Sequence, residues 1–283
     1  MGKDIHWYPG HMKKAQIEVQ ERLRIVDCVI ELLDARIPVS SRNDKLYDLS
    51  KDKERLVVLT KSDLADSKVT EEWISYFKEQ NFKCIFADLN NKADVKKIIA
   101  EASKCGEKKH EKEIRKGLKP SPIRAMIIGI PNVGKSTLIN KIANRNAAST
   151  QNKPGHTKAQ QWIKVNKDFE LLDTPGILQS SYEEESKKIN LALVGSINQD
   201  ILPIDDLGDF LVVFLKNNYP ELLKNRYDIA DLELDAESLF IQIASRRGLL
   251  SGGKPDSHKA RQTLLNEFKN GILGRSSLEW PKK

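Results

Sequence analysis

Gly129-Ile130-Pro131-Asn132-Val133-Gly134-Lys135-Ser136 follows an apolar run from Ile123 to Ile128 and leads into a stretch with Leu138, Ile139 and Ile142 at helical spacing. The pattern G-x-x-x-x-G-K-S between a buried strand and a helix is an arrangement that cradles phosphate. Its glycines let backbone N–H groups curl round anionic oxygens, and the helix start adds positive potential. Asn132, Val133, Gly134, Lys135, Ser136 and Thr137 are therefore candidate nucleotide contacts, with Lys135 reaching the outer phosphates and the Ser136 hydroxyl able to ligate Mg2+.

Downstream, an apolar strand at Phe169 to Leu172 ends in Asp173-Thr174-Pro175-Gly176. A carboxylate at a strand end can hold Mg2+ through water, so Asp173 is a metal candidate, and Gly176 offers a backbone N–H to the terminal phosphate. Between the two phosphate segments, Thr157 in Lys153-Pro154-Gly155-His156-Thr157 would ligate Mg2+ only while the outer phosphate is present, which is a switch geometry. Upstream, Thr60-Lys61-Ser62-Asp63 closes a strand at Leu56 to Leu59 and resembles the guanine-reading motif of GTPases, usually Asn-Lys-x-Asp. Asp63 would accept two hydrogen bonds from guanine while the Lys61 stem covers the ring. Adenine would leave that carboxylate unpaired, a mismatch that can discriminate by roughly ten-thousand-fold. Thr60 takes the place of the commoner Asn, and the next strand end, Ala87-Asp88, is where an N–H to guanine O6 would come from.

These motifs sit in alternating segments. Helical stretches near Met12 to Arg24, Thr70 to Gln80 and Ala93 to Ser103 interleave with strands at Cys28 to Leu33, Leu56 to Leu59, Lys83 to Ala87 and Ile123 to Ile128. Alternation of this kind predicts an α/β fold, a mostly parallel sheet with helices on both faces. The Lys-rich tract ending Lys119-Pro120-Ser121-Pro122 reads as a connector, because prolines disfavour helix continuation. Past Gly176 strand signals fade and spacings such as Leu239, Phe240 and Ile243 suit amphipathic helices. The expected organisation is therefore a phosphate-binding α/β domain over residues 1–180 and an all-α domain over 181–283.

With 283 residues, 39% of them hydrophobic, and only 15 Gly and 11 Pro, the chain can bury a sizeable core, which excludes fibrous and disordered classes. No apolar run is long enough to span a bilayer and the N-terminus lacks a signal-peptide pattern, so the expectation is a cytoplasmic protein with no membrane role. Cys28, Cys84 and Cys105 are odd in number and lack metal-ligand spacing, which argues against a disulfide framework or zinc site. The net charge of +7 is uneven: residues 181–245 carry 5 Lys and Arg against 13 Asp and Glu, whereas residues 246–283 carry 9 against 3. Two basic regions, Lys104 to Arg124 and the tail with Arg246, Arg247, Lys254, Lys259, Arg261, Lys269 and Arg275, are candidate phosphate-backbone contacts or solvated faces.

In ordinary GTPases the phosphate loop comes first and base reading last, but here residues 60–63 precede residues 129–136. With that order, Trp7-Tyr8-Pro9-Gly10-His11-Met12, Asp34-Ala35-Arg36-Ile37-Pro38 and the helical C-terminal third, the chain resembles the circularly permuted GTPases, in particular their bacterial ribosome-biogenesis branch. The resemblance implies a circularly permuted P-loop GTPase domain that binds GTP and GDP, uses Mg2+, and acts on the immature large ribosomal subunit, its rRNA and proteins, with no DNA partner. The resemblance further implies that the protein promotes the late maturation of that subunit and that the subunit stimulates its GTP hydrolysis. An alternative is a nucleotide-gated RNA-binding module whose hydrolysis serves only release; a metabolic P-loop kinase is a third reading, disfavoured by Asp63. Ras-like enzymes place a water-positioning Gln after the Gly equivalent to Gly176, but this chain has Ile177. By resemblance His11 is the catalytic candidate, with His156 its rival, and Asn132 would donate an oxygen to K+ beside the transition state. The order also makes the nucleotide-sensing segment the start of the C-terminal domain, so phosphate loss could reposition that domain directly.

Overall fold

The computed structural model describes residues 17–147, 162–172, 184–197, 202–229 and 231–282. Strands β1 (Cys28–Asp34), β2 (Glu54–Thr60), β3 (Lys83–Ala87), β4 (Ile123–Ile128), β5 (Trp162–Lys164) and β6 (Phe169–Leu172) form a six-stranded sheet in the order β3-β2-β1-β4-β6-β5. Every pairing is parallel except β5 with β6. The central strand β1 is buried along its whole length, as an apolar run covered on both faces should be. From β1 the chain steps outward to β2 and β3, then returns to the other side of β1 as β4. This reversal is a topological switch point, the place where open α/β sheets form a crevice at the strands' carboxyl ends.

Helices α1 (Asp44–Leu49), α2 (Ser67–Glu79), α3 (Lys92–Ser103), α4 (Glu107–Arg115) and α5 (Lys135–Ala147) complete this unit, with residues 17–23 also helical. Asp66 caps α2 by accepting from the Lys68 and Val69 N–H groups, and Asn91 caps α3 in the same way from Ala93. On α2 the i, i+4, i+8 set Val69, Trp73 and Phe77 packs with Leu33, Val57 and Leu59 of β1 and β2. A second core cluster joins Val19, Leu23, Val26, Val29, Met126, Ile128 and Leu172.

Besides the six-residue helix α1, two elements of this unit depart from the sequence reading. The basic tract expected as a connector contains α4, a helix with no buried residue, which explains why hydrophobic periodicity does not reveal it. Polar contacts hold it: the Glu113 carboxylate accepts from the Ser121 N–H at 2.8 Å and hydroxyl at 2.6 Å, and the Lys109 ammonium reaches Asp27 at 2.9 Å and the Pro122 carbonyl at 3.1 Å. Strand β5 is the other; at three residues it is too short to show a period.

The described residues divide into two compact units, one within Met1–Tyr182 and Ser277–Lys283 and the other within Glu183–Ser276. The expected helical domain over 181–283 is thus corrected at its far end: residues 277–282 return to the sheet-containing unit through hydrogen bonds that no periodic pattern announces. The second unit holds α6 (Glu185–Leu193), α7 (Ile204–Asn218), α8 (Pro220–Tyr227), α9 (Ala236–Arg247) and α10 (Ser257–Lys269), and the all-α expectation is corrected by a short hairpin of β7 (Leu250–Ser251) and β8 (Lys254–Pro255), whose two-residue strands are too short to show a period. Here the basic tail meets the acidic segment. Arg261, 6% exposed, donates to Asp209 and Glu237 at 2.8 Å each, and Arg226 and Arg247 both donate to Glu267. Arg261 and Arg247 are therefore committed inside this unit, Arg246 pairs with Asp228 at 3.0 Å, and Lys254 lies exposed on β8. Among the described residues no helix is long and apolar enough to cross a membrane.

Candidate active site

The loop after β4 has the backbone its sequence requires. Gly129 sits at φ 154°, and a Cβ there would lie 2.8 Å from the Leu32 carbonyl oxygen and 2.9 Å from Val133 Cγ1. Gly134, at φ 110°, faces Leu89 so closely that a Cβ would meet Leu89 Cδ1 at 2.6 Å. Asn132 takes the left-handed conformation at φ 60°, which Asn tolerates better than most side chains. The loop then opens directly into α5, whose first N–H groups have no partner within the helix and face anions favourably. The buried Lys135 ammonium donates to the Ile130 carbonyl at 2.6 Å, spanning the loop from within.

A second set of contacts ties this loop to the end of β2. The Thr60 hydroxyl lies 2.7 Å from the Val133 carbonyl oxygen and 3.0 Å from that of Leu33. Lys61, at φ 55°, turns the chain and sets its ammonium 2.9 Å from the Asp34 carboxylate. Asp34 is fully buried, and Arg36 holds it through Nε at 3.0 Å, Nη2 at 2.9 Å and its backbone N–H at 3.1 Å. Burial alone would raise the Asp34 pKa, but the charges and hydrogen bonds of Arg36 and Lys61 outweigh it and hold this carboxyl well below the usual range.

A cavity of about 410 Å³ lies where these loops converge. Lys61, Asp63 and Leu64 line it from the end of β2, Asp88, Leu89 and Asn90 from the end of β3, and Asn132 to Thr137 from the phosphate loop and α5. Nine of the residues singled out in the sequence thus surround one space: Lys61, Asp63, Asp88, Asn132, Val133, Gly134, Lys135, Ser136 and Thr137. Two sit elsewhere. Thr60 and Ala87 are fully buried behind the wall, paired across the β2–β3 ladder, so the Thr60 side chain stitches the loop rather than facing the cavity. At the strand end expected to face guanine O6, the Asp88 N–H donates to the Asp94 carboxylate at 2.8 Å. Leu64, Leu89 and Asn90 line the cavity without having been marked; their signal is position alone, immediately after a motif at a strand end. His11, His156, Thr157, Asp173 and Gly176 lie outside the described residues.

Among the described residues no group of three or more His, Cys, Asp or Glu side chains could hold a metal unaided. The exposed Ser136 hydroxyl at the cavity edge fits a Mg2+ whose other ligands include oxygens of a nucleotide.

Residues 124–238 match the family described as 50S ribosome-binding GTPase. Over 280 residues the chain is 45% identical to Ribosome biogenesis GTPase A of Bacillus cereus, covering 99% of this chain and 95% of that one. The chain belongs to the ribosome biogenesis GTPase A family. Among solved structures it is similar to GDP-bound YlqF, with a TM-score of 0.64 and 26% identity over 94% of this chain and 100% of that one. GNP-bound YlqF from T. maritima matches with a TM-score of 0.63 and 27% identity over 95% and 99%. The fold is accordingly that of a circularly permuted GTPase, and the chain is a GTPase of ribosome assembly that hydrolyses GTP to GDP and phosphate. Members of the family work with Mg2+.

Proposed function

We propose that this GTPase docks on an immature large ribosomal subunit in the cytoplasm, contacts its rRNA and proteins, and promotes its late maturation with hydrolysis stimulated by the subunit. The observation that supports the reading best is one cavity bounded by both the phosphate loop and Asp63. In it, Asp63 accepts from the guanine ring N–H and amino group, and the Lys61 stem, steadied by Asp34, covers the base. Leu64 and Leu89 offer apolar wall. The loop N–H groups and Lys135 take the phosphates, Lys135 exchanging the Ile130 carbonyl for phosphate oxygen. Ser136 and Thr157, with Asp173 through water, are the residues for Mg2+, which when bound offsets charge on the phosphate oxygens. Gly176 donates its N–H to the terminal phosphate, and Asn132 offers an oxygen to K+ as a fixed positive charge. His11 orients the attacking water, a task for which Ile177 has no hydrogen-bonding group.

Steady-state hydrolysis in K+/Mg2+ and in Na+/Mg2+ buffer, with and without purified large subunits, tests this reading. Alone the protein should turn over slowly, on the order of 10⁻⁴ to 10⁻² per second as unassisted relatives of the fold do. Subunits should raise that rate strongly, and His11→Ala should lose most of the increase while keeping GTP affinity. A rate indifferent to subunits overturns the partner, and equal rates in K+ and Na+ remove K+ from the mechanism.

A further inference from the structure

The segment that returns from the helical unit lands on the two loops that frame the base-reading residues. The Leu278 N–H donates to the Arg36 carbonyl at 2.9 Å, and the Ser277 hydroxyl accepts from the Asp66 N–H at 3.2 Å. Next, the Glu279 carboxylate receives the Val39 N–H at 2.7 Å and the Ser40 N–H at 3.1 Å, together with the Ser40 hydroxyl. Its backbone carbonyl accepts from Trp73 Nε1 at 3.1 Å. Ser277 and Leu278 are buried. Arg36 is the residue that chelates Asp34, and Asp34 is the anchor of Lys61. Asp66 closes the turn that carries Asp63 and begins α2. The cavity-lining turn 61–64 is therefore held at one end through Lys61, Asp34, Arg36 and Leu278, and at the other through Asp66 and Ser277.

We propose that Ser277, Leu278 and Glu279 form a positioning strap for the base-reading turn, so that affinity for the guanine base depends on the tail of the chain. The proposal rests on the reading of Lys61 and Asp63 as base contacts. Lys61 occupies a left-handed conformation that a lysine adopts only at a cost. The strap over-determines that conformation, and without it the turn samples states unable to receive the base. If the competent fraction falls to about a fifth, apparent Kd rises about fivefold. Phosphate-loop contacts should survive this loss, because the strap's hydrogen bonds given above run to Arg36, Val39, Ser40, Asp66 and Trp73. Coupling is reciprocal: a bound guanine nucleotide holds the strap more firmly.

The experiment uses the full chain with Mg2+ and two probes, GDP and inorganic tripolyphosphate, which share phosphate contacts and differ in the base. Glu279→Ala and the milder Ser277→Ala are compared with wild type, and Asp63→Asn serves as a control on the base site. The expected result is a roughly fivefold weaker GDP affinity in Glu279→Ala, a smaller loss in Ser277→Ala, and unchanged tripolyphosphate affinity. Hydrogen exchange at the Leu278 amide should slow on adding GDP to wild type and stay unchanged with tripolyphosphate. Equal GDP affinity in all strap variants, equal losses for both probes, or Leu278 exchange indifferent to GDP would each overturn the strap. Asp63→Asn should lose GDP and gain xanthosine diphosphate, since Asn replaces an acceptor with a donor; if GDP binding is unaffected there, the base-site reading itself fails, whatever the tail variants do.

Discussion

Thr60 occupies a position where a guanine-reading segment commonly has Asn, and its hydroxyl 2.7 Å from the Val133 carbonyl makes it a cross-brace between base side and phosphate side. Thr60→Val keeps the shape and removes the hydroxyl donor from the Val133 carbonyl. We expect a loss of about 1–3 kcal/mol in urea unfolding together with weaker GDP binding. Asp34 is a stronger case, because Arg36 is 1% exposed and Asp34 is the carboxylate its side chain chelates. Asp34→Ala strands a buried guanidinium and should cost roughly 3–5 kcal/mol by the same measurement. The Asp34 pKa is depressed on folding, so its contribution is fully present above the ordinary carboxylate range and is lost only as pH falls well below it. On β3, burial, opposed by nearby Arg42, pushes the Cys84 thiol up to about 12. At pH 8 it stays protonated, and maleimide labelling of Cys84 should be far slower in the folded protein than in urea.

At the scale of elements, most of the sheet is readable because parallel strands buried on both faces appear as unbroken apolar runs, as β1, β2 and β4 do. Helix α2 shows its core face as Val69, Trp73 and Phe77, and its start as Asp66. Asp66→Ala should lower stability by about 1 kcal/mol, read as a lower urea midpoint with unchanged slope. Helix α4 is different in kind. It buries nothing, so its charged sequence looks like a linker, and what holds it is Glu113 reaching across to Ser121. Glu113→Ala should leave the sheet intact while amide exchange at Ser121 accelerates.

Over the whole molecule, the uneven charge found along the sequence acquires a second meaning. Inside one helical unit, Arg261 and Arg246 of the basic stretch 246–283 pair with Asp209, Glu237 and Asp228 of the acidic stretch 181–245, while Glu267 of the basic stretch takes Arg226 and Tyr227 of the acidic one and Arg247 of its own. Hydrogen bonds from Arg226, against burial, hold the Glu267 carboxyl below its usual range. Its contribution is therefore present above the ordinary Glu value, about 4.3, and lost as pH falls through the lower folded value. Thermal unfolding should drop between about pH 5 and pH 3, and Glu267→Gln should be less stable at pH 7 with a shallower decline. The sequence by itself determined the phosphate loop, the permuted order, the alternating fold and the positions of Lys61 and Asp63, because each is written in local residue types at short spacing. Only the tertiary structure decided that Thr60 faces a carbonyl, that Asp34 anchors Lys61, that Leu89 and Asn90 line the cavity, and that residues 277–279 return to the base-reading loops. Those facts depend on which side chains meet across long separations, and hydrogen bonds and ion pairs between distant segments leave no period in the chain that makes them.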